Sequence, residues 1–158
     1  MIAPMIAEGQ MAPDVTLPRD GGGAIRLADM RPKRVVVFTY GGDGTPTCTN
    51  EVMEFNGLLA EFAAAGAFVV GLSKDSVKSH DKFAAKMGLS LMLASDHGGH
   101  VMEDWGAFGE KRFFGKLVQG VLRTTFLIAP DGRVEKVWKV DRVKGHAAEV
   151  LEHLVRTA

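Results

Sequence analysis

The sequence holds a single cysteine, Cys48, among 158 residues, so no disulfide can form within the chain. That excludes a small disulfide-stapled secreted domain and makes a reducing cytoplasm the expected location. Excess charge is missing as well: nineteen basic residues cancel nineteen acidic ones. A balanced chain carries no electrostatic footprint for nucleic acid or an anionic membrane, so neither is expected as a partner. Long apolar runs are absent too. The run at 35–38 falls far short of the roughly twenty residues that cross a bilayer. The opening MIAPMIAEGQ has no basic lead-in and no sustained apolar block, and does not read as a signal peptide. No repeat, low-complexity tract or long linker divides the sequence. Its length suits one domain over 1–158, with a core large enough to stand without staples.

What is present is an alternation of element types. Residues 35–40 (VVVFTY) form a β-branched and aromatic run that reads as a buried strand. Val52, Phe55, Leu58, Leu59 and Phe62 recur at helical spacing, predicting one helix over 48–65 that stops at Gly66. A second buried strand follows at 67–72. Asp75 or Ser76 then caps a helix that runs to Met87 and ends at Gly88. Residues 91–94 are a short apolar run of open type. Strands at 124–129 and 134–140 flank Pro130-Asp131-Gly132 as a hairpin, and 143–156 is an amphipathic helix. Strands separated by helices predict a parallel core sheet with an antiparallel addition, an α/β fold with helices around one mixed central sheet. In such sheets a site forms at the strand's C-terminal end, and here that loop contains Cys48.

Pro46 suits the first turn of a helix, because its fixed φ and missing N–H cost nothing there. Thr45 or Thr47 is then placed to cap, and Cys48 falls where the helix dipole and free N–H groups favour an anion. Such a position lowers a thiol pKa and raises the reactive thiolate fraction. Ionisation alone is a weak catalyst. An ordinary thiol is a few per cent ionised at neutral pH, so full ionisation gains roughly 30-fold, about 2 kcal/mol. Donors that stabilise charge as the substrate bond breaks must supply the rest. Local chemistry leaves two readings level: a nucleophile, or an inert buried thiol acting as a small hydrophobe.

Several spaced blocks carry a family resemblance over nearly the whole chain. Thr45-Pro46-Thr47-Cys48-Thr49-Asn50-Glu51 resembles the T-P-x-C-T-x-E motif of peroxiredoxins of the bacterioferritin comigratory protein (PrxQ) group. Glu8 to Asp14 is similar to that group's G-x-x-A-P-D/E-F opening, and Ser73 to His80 with Phe83 to its S-x-D-S-x-x-S-H-x-x-F block. Gly109-Glu110-Lys111 and the stretch from Gly120 through Arg123 to Ile128 resemble its G-E-K and G-x-x-R-S/T-T-F-L-I blocks. The resemblance implies a thioredoxin-like fold and a peroxidase that needs no cofactor and no metal.

It also implies roles. Cys48 would be the peroxidatic cysteine, attacking a peroxide oxygen and becoming sulfenic acid. Thr45 would hydrogen-bond the thiolate and the peroxide, and Arg123 would favour the thiolate and orient the peroxide. Glu51 would buttress Arg123; read from its position alone, it is equally a dipole or capping-box partner. Two positions depart from the pattern. Gly41, seven residues before Cys48, stands where relatives have proline, and Met53 where many carry the resolving cysteine. A one-cysteine member must be resolved by an external thiol: thioredoxin, glutaredoxin or glutathione. The family implies a monomer or weak dimer. A thiol–disulfide oxidoreductase would need C-x-x-C, and Thr45 occupies the partner position. A redox sensor or holdase, switched by Cys48 oxidation, is the alternative from another class.

The remaining motifs read as structural. Asp96, His97 and His100 lie in a glycine-rich loop without a third rigid ligand position, so no metal is expected. Gly21–Gly23 reads as a hairpin or loop tip, not a phosphate cradle. Trp105 and Phe108 read as core, and the eight methionines as gap fillers.

Overall fold

The computed structural model describes residues 6–158. Its first elements are strands β1 (Thr16–Pro18) and β2 (Ala24–Arg26), a 3-10 turn at Leu27–Met30, and strand β3 (Arg34–Thr39). Helices α1 (Pro46–Gly57) and α2 (Leu59–Ala64) follow, then strand β4 (Ala67–Ser73) and helix α3 (Val77–Met87). Strand β5 (Met92–Ser95) and the single turn α4 (Val101–Asp104) lead to strands β6 (Phe108–Phe113) and β7 (Lys116–Val121). Strands β8 (Thr124–Ile128) and β9 (Val134–Lys139) and helix α5 (His146–Arg156) close the chain.

Five strands form one sheet in the order β5-β4-β3-β8-β9. β3 runs parallel to β4 and β4 to β5, whereas β8 is antiparallel to both β3 and β9. This is the mixed sheet expected from the sequence. β3 is buried on both faces, which explains its unbroken apolar run. Val36 and Phe38 face a cluster made with Val52, Phe55, Phe62, Phe83 and Leu154 of the surrounding helices. Val35 and Val37 face a second cluster with Ile25, Met102, Trp105 and Phe126. Phe38 stacks on Phe55 at 4.3 Å between ring centroids, tying α1 to the central strand. Among the described residues no helix is long and apolar enough to cross a membrane.

Three local expectations need correction. The single helix expected over 48–65 is two helices, broken at Leu58 (φ −106°, ψ 10°). Gly57, a poor helix former, ends the first run, and Phe62 of the second helix lies in the same core cluster as Val52 and Phe55 of the first. The last helix starts at His146, not Val143, because Gly145 adopts φ 84°, outside helical geometry. Residues 108–121 form an antiparallel hairpin that the sequence did not announce. Its Phe114-Gly115 turn lacks the usual Asn-Gly signal, although both residues have positive φ. Gly21–Gly23 is the tip of the β1–β2 hairpin, as expected.

Phe55 joins α1, Phe38 and Phe62 with no exposed surface. Phe55→Ala is therefore expected to cost about 3–5 kcal/mol of unfolding free energy. Urea unfolding followed by circular dichroism measures it.

Candidate active site

The sheet order brings the site together. β3 and β8 are antiparallel neighbours, so the loop leaving β3 meets the residues entering β8. Buried Thr39 fixes that meeting point: its hydroxyl lies 3.1 Å from the Leu122 carbonyl and 3.2 Å from that of Thr124, and it accepts the Thr124 N–H at 2.9 Å. Arg123 sits between these two anchored residues. Pro46 is the first residue of α1, as expected, and puts Cys48 in the first turn, where backbone N–H groups have no helical acceptor.

Arg123 bridges two α1 side chains one turn apart. Its Nη2 donates to Cys48 Sγ at 3.4 Å and its Nη1 to Glu51 Oε1 at 2.6 Å. Cys48 is 5% exposed and Glu51 1%. Burial pushes the Cys48 thiol up. Hydrogen bonds from the Thr45 side chain, from Arg123 and from the Gly42 backbone outweigh it, with the Arg123 charge, and leave the pKa lowered. Burial also drives the Glu51 carboxyl up to about 7, against the pull of Arg123 and helped by nearby Glu54. Glu51 Oε2 has no hydrogen-bond partner among the described residues, so a full negative charge there is poorly solvated.

Thr45 occupies the N-cap position without capping by its side chain. Its hydroxyl donates to the Gly42 carbonyl at 3.1 Å. That hydroxyl carries one proton and lies within reach of two acceptors, the carbonyl and the Cys48 sulfur. Capping by Thr45 or Thr47 is thus corrected: the Thr45 hydroxyl belongs to the cysteine loop. Glu51 makes the ion pair with Arg123 and not a capping box.

A second network holds the same loop from the other side. Asp43 accepts from the Tyr40 hydroxyl at 2.7 Å and from the Ser79 hydroxyl at 2.7 Å, and its Oδ2 lies 2.8 Å from His80 Nδ1. The other His80 nitrogen lies 2.9 Å from the Ala94 carbonyl. The two close partners of this fully buried ring, the Asp43 carboxylate and the Ala94 carbonyl, are acceptors, an arrangement that favours the imidazolium with both nitrogens donating. Burial opposes that charge, and the Asp43 carboxylate overcomes it, raising the His80 pKa and lowering that of Asp43. Asp75 completes the brace, accepting from the Asp43 N–H at 3.0 Å and the Ser73 hydroxyl at 2.7 Å. Asp43, Asp75 and His80 bring potential ligand atoms within 4.8 Å of one another, but those atoms are engaged in the hydrogen bonds just described.

A sequence model of the AhpC/TSA family matches residues 8–137. The chain belongs to the AhpC/TSA family. Among its relatives are a putative peroxiredoxin Bcp of Coxiella burnetii, 42% identical over 149 residues, covering 94% of this chain and 99% of the relative. Peroxiredoxin Bcp of Bacillus subtilis is 38% identical over 146 residues, with 92% and 93% covered. Among solved structures, the Xanthomonas campestris bacterioferritin comigratory protein, studied for alkyl peroxide reduction, aligns with TM-score 0.88 at 38% identity, covering 96% and 99%. Peroxidoxin BcpB of Mycobacterium tuberculosis aligns with TM-score 0.85 at 34% identity, covering 97% and 99%. The thioredoxin-like fold and the Bcp/PrxQ affinity expected from the sequence therefore hold, and with Cys48 its sole cysteine this is a one-cysteine peroxiredoxin.

Elsewhere in this peroxiredoxin, Asp96 spends its oxygens on the N–H groups of Val101 and Met102 and on Lys74. Trp105 packs edge-on against Phe126 in the core. The sequence reading assigned no role to Tyr40, Asp43 or His80. The available signal was His80 itself, a polar residue three before Phe83 on the buried face of α3.

Two outcomes follow from these charges. Arg123→Met removes the donor and cation beside Sγ, so the Cys48 pKa should rise. The pH dependence of its alkylation rate reports the change. His80→Leu leaves Asp43 buried without its cation, and should cost about 3–5 kcal/mol below the ordinary histidine pKa. A raised pKa contributes stability at low pH and loses it as pH rises through the folded-state value. The gap between the two proteins should shrink as the solution becomes alkaline, read from denaturant titrations across pH.

Proposed function

We propose that this peroxiredoxin reduces hydroperoxides at Cys48 and is restored by a thiol from another molecule. The observation that carries the reading is Arg123 Nη2 at 3.4 Å from a sulfur in the first turn of α1. The Cys48 thiolate attacks the terminal oxygen of ROOH. The S–O bond forms as O–O breaks, and the departing alkoxide takes a proton, giving Cys48 sulfenic acid and ROH. Arg123 and the free N–H groups of the first turn stabilise charge on the oxygens as they separate. Thr45 hydrogen-bonds sulfur and peroxide, Pro46 fixes the helix start, and Glu51 holds the guanidinium in place.

An external thiol then displaces water from the sulfenic acid, forming a mixed disulfide, and a second thiol releases Cys48 with a disulfide as product. Met53 in place of a resolving cysteine supports this external route. We assign the reductant to thioredoxin, glutaredoxin or glutathione and the setting to a reducing cytoplasm. The chain acts as one catalytic unit, a monomer or weak dimer.

Purified protein is expected to consume peroxide over many turnovers with one of these thiols, and Cys48→Ser to consume none. Mass spectrometry of the peroxide-treated protein should find a mixed disulfide on Cys48 that names the reductant. Consumption no faster than that of Cys48→Ser overturns the reading. A single oxidation without turnover favours the redox sensor.

A further inference from the structure

Beside the cysteine loop lies an open groove of about 710 Å³, a size typical of small-molecule sites. One wall is the outer face of α1, where Thr47, Asn50 and Glu54 follow one another at helical spacing. The other is the loop between β9 and α5, which contributes Asp141, Arg142 and Lys144. Both walls start at the reacting groups. Thr47 directly precedes Cys48, and the second wall leaves the sheet at Val140, whose N–H donates to the Arg123 carbonyl at 3.0 Å. At the far end, Glu54 Oε1 accepts the Gly145 N–H at 2.9 Å. The walls are thus tied at both ends, through Arg123 at one and Glu54 at the other. The charges between them are unspent: the exposed side chains of Asp141, Arg142 and Lys144 make no hydrogen bond or salt bridge among the described residues. From Thr47 to Glu54 the helix rises about 10 Å, and three extended residues of a peptide reach about as far. A ligand suited to this groove is the size of a tripeptide, with carboxylates for the two cations and an ammonium for Asp141.

We propose that the groove binds glutathione and presents its thiol to oxidised Cys48, with Arg142 and Lys144 receiving its two carboxylates and Asp141 its ammonium. This rests on Cys48 being the peroxide-reducing thiol, and it singles out glutathione among the external reductants. A protein thiol would have to reach a sulfur only 5% exposed, whereas a tripeptide fits between the walls. Gly41 adds no side chain over that sulfur, where a Cβ would lie 3.6 Å from Sγ. The sulfur of bound glutathione attacks Sγ of the sulfenic acid. The S–S bond forms as S–O breaks, and the departing hydroxide takes the thiol proton and leaves as water. A second glutathione attacks the glutathione sulfur of the mixed disulfide, releasing Cys48 thiolate and oxidised glutathione.

The test is the double variant Arg142→Gln/Lys144→Gln, with the charge-preserving Arg142→Lys/Lys144→Arg as its control. Each protein is oxidised with an equivalent of hydrogen peroxide. Rapid quenching and mass spectrometry then give the second-order constants for mixed-disulfide formation with glutathione and with uncharged 2-mercaptoethanol. The ratio of the glutathione to the 2-mercaptoethanol constant should fall about ten-fold in the double variant, since two exposed ion pairs are worth up to about five-fold each. The charge-preserving variant should keep the parent ratio. S-Methylglutathione, which cannot react, should shift amide resonances at 47–54 and 141–144 in the parent and less in the double variant. An unchanged ratio, equal loss with both thiols, equal loss in both variants, or shifts confined to other residues overturns the proposal. Turnover with thioredoxin but not with glutathione also overturns it and leaves the peroxidase reading intact. S-Methylglutathione bound in this groove of a parent that does not react with peroxide would uphold the site and refute the peroxidase reading instead.

Discussion

The site depends on one guanidinium held between two buried groups of opposite chemical need. Cys48 requires a positive charge to ionise inside the protein, and Glu51, one helical turn on, requires the same charge to be tolerated at all. Arg123 answers both because its planar fork presents separate N–H groups to the two partners, which a lysine point charge could not do. The arrangement is not symmetrical. Glu51 competes for the arginine, and its rise to about 7 shows how far burial moderates that competition. A fully charged carboxylate would draw the arginine's field away from the sulfur. A carboxyl poised near neutrality holds the fork in place while drawing less of it.

Such an arrangement is useful only if the loop between β3 and α1 keeps its shape. Two anchors do this from opposite sides. Thr39 pins the residues around Arg123 to the central strand. The Asp43–His80 ion pair pins the loop itself to α3. The second anchor costs desolvation of two charges, and it is sustained by the added hydrogen bonds from Tyr40 and Ser79 and to Ala94. Ion pairs of this kind contribute more to fixing one geometry than to net stability. A sulfur that must sit within hydrogen-bonding distance of Arg123 needs that geometry.

The sequence disclosed these features unevenly. β3 was legible because a strand buried on both faces has no polar interruptions, and Cys48 was legible as the sole cysteine behind a helix-starting proline. The separation of 75 positions from Cys48 to Arg123 is another matter. No local periodicity links them, and only the spaced family blocks placed both in one site. The break at Leu58 was hidden because the apolar spacing continues in register across it. The β6–β7 hairpin was hidden because none of its strand residues is fully buried and apolar Phe113 and Leu117 lie exposed among charged neighbours, leaving no inward–outward alternation to read. His80 stood in a helix that was correctly expected, but a polar residue on an apolar face does not identify its partner. That partner, Asp43, comes from a loop 37 residues earlier.

Rigidity and access are opposed demands on this loop, and the chain meets them at different positions. Asp43 makes the loop rigid through its side chain, and Gly41 leaves the sulfur approachable through the lack of one. A side chain at 41 able to shield the sulfur would also narrow the approach of every molecule that must reach it. In a protein with its own resolving cysteine that restriction touches the peroxide alone. Here the resolving thiol arrives from outside as well, so two foreign molecules in succession must meet a sulfur only 5% exposed. The absence of a second cysteine and the absence of a side chain at 41 are thus physically compatible: the first increases the demand for access, and the second removes an obstacle to it.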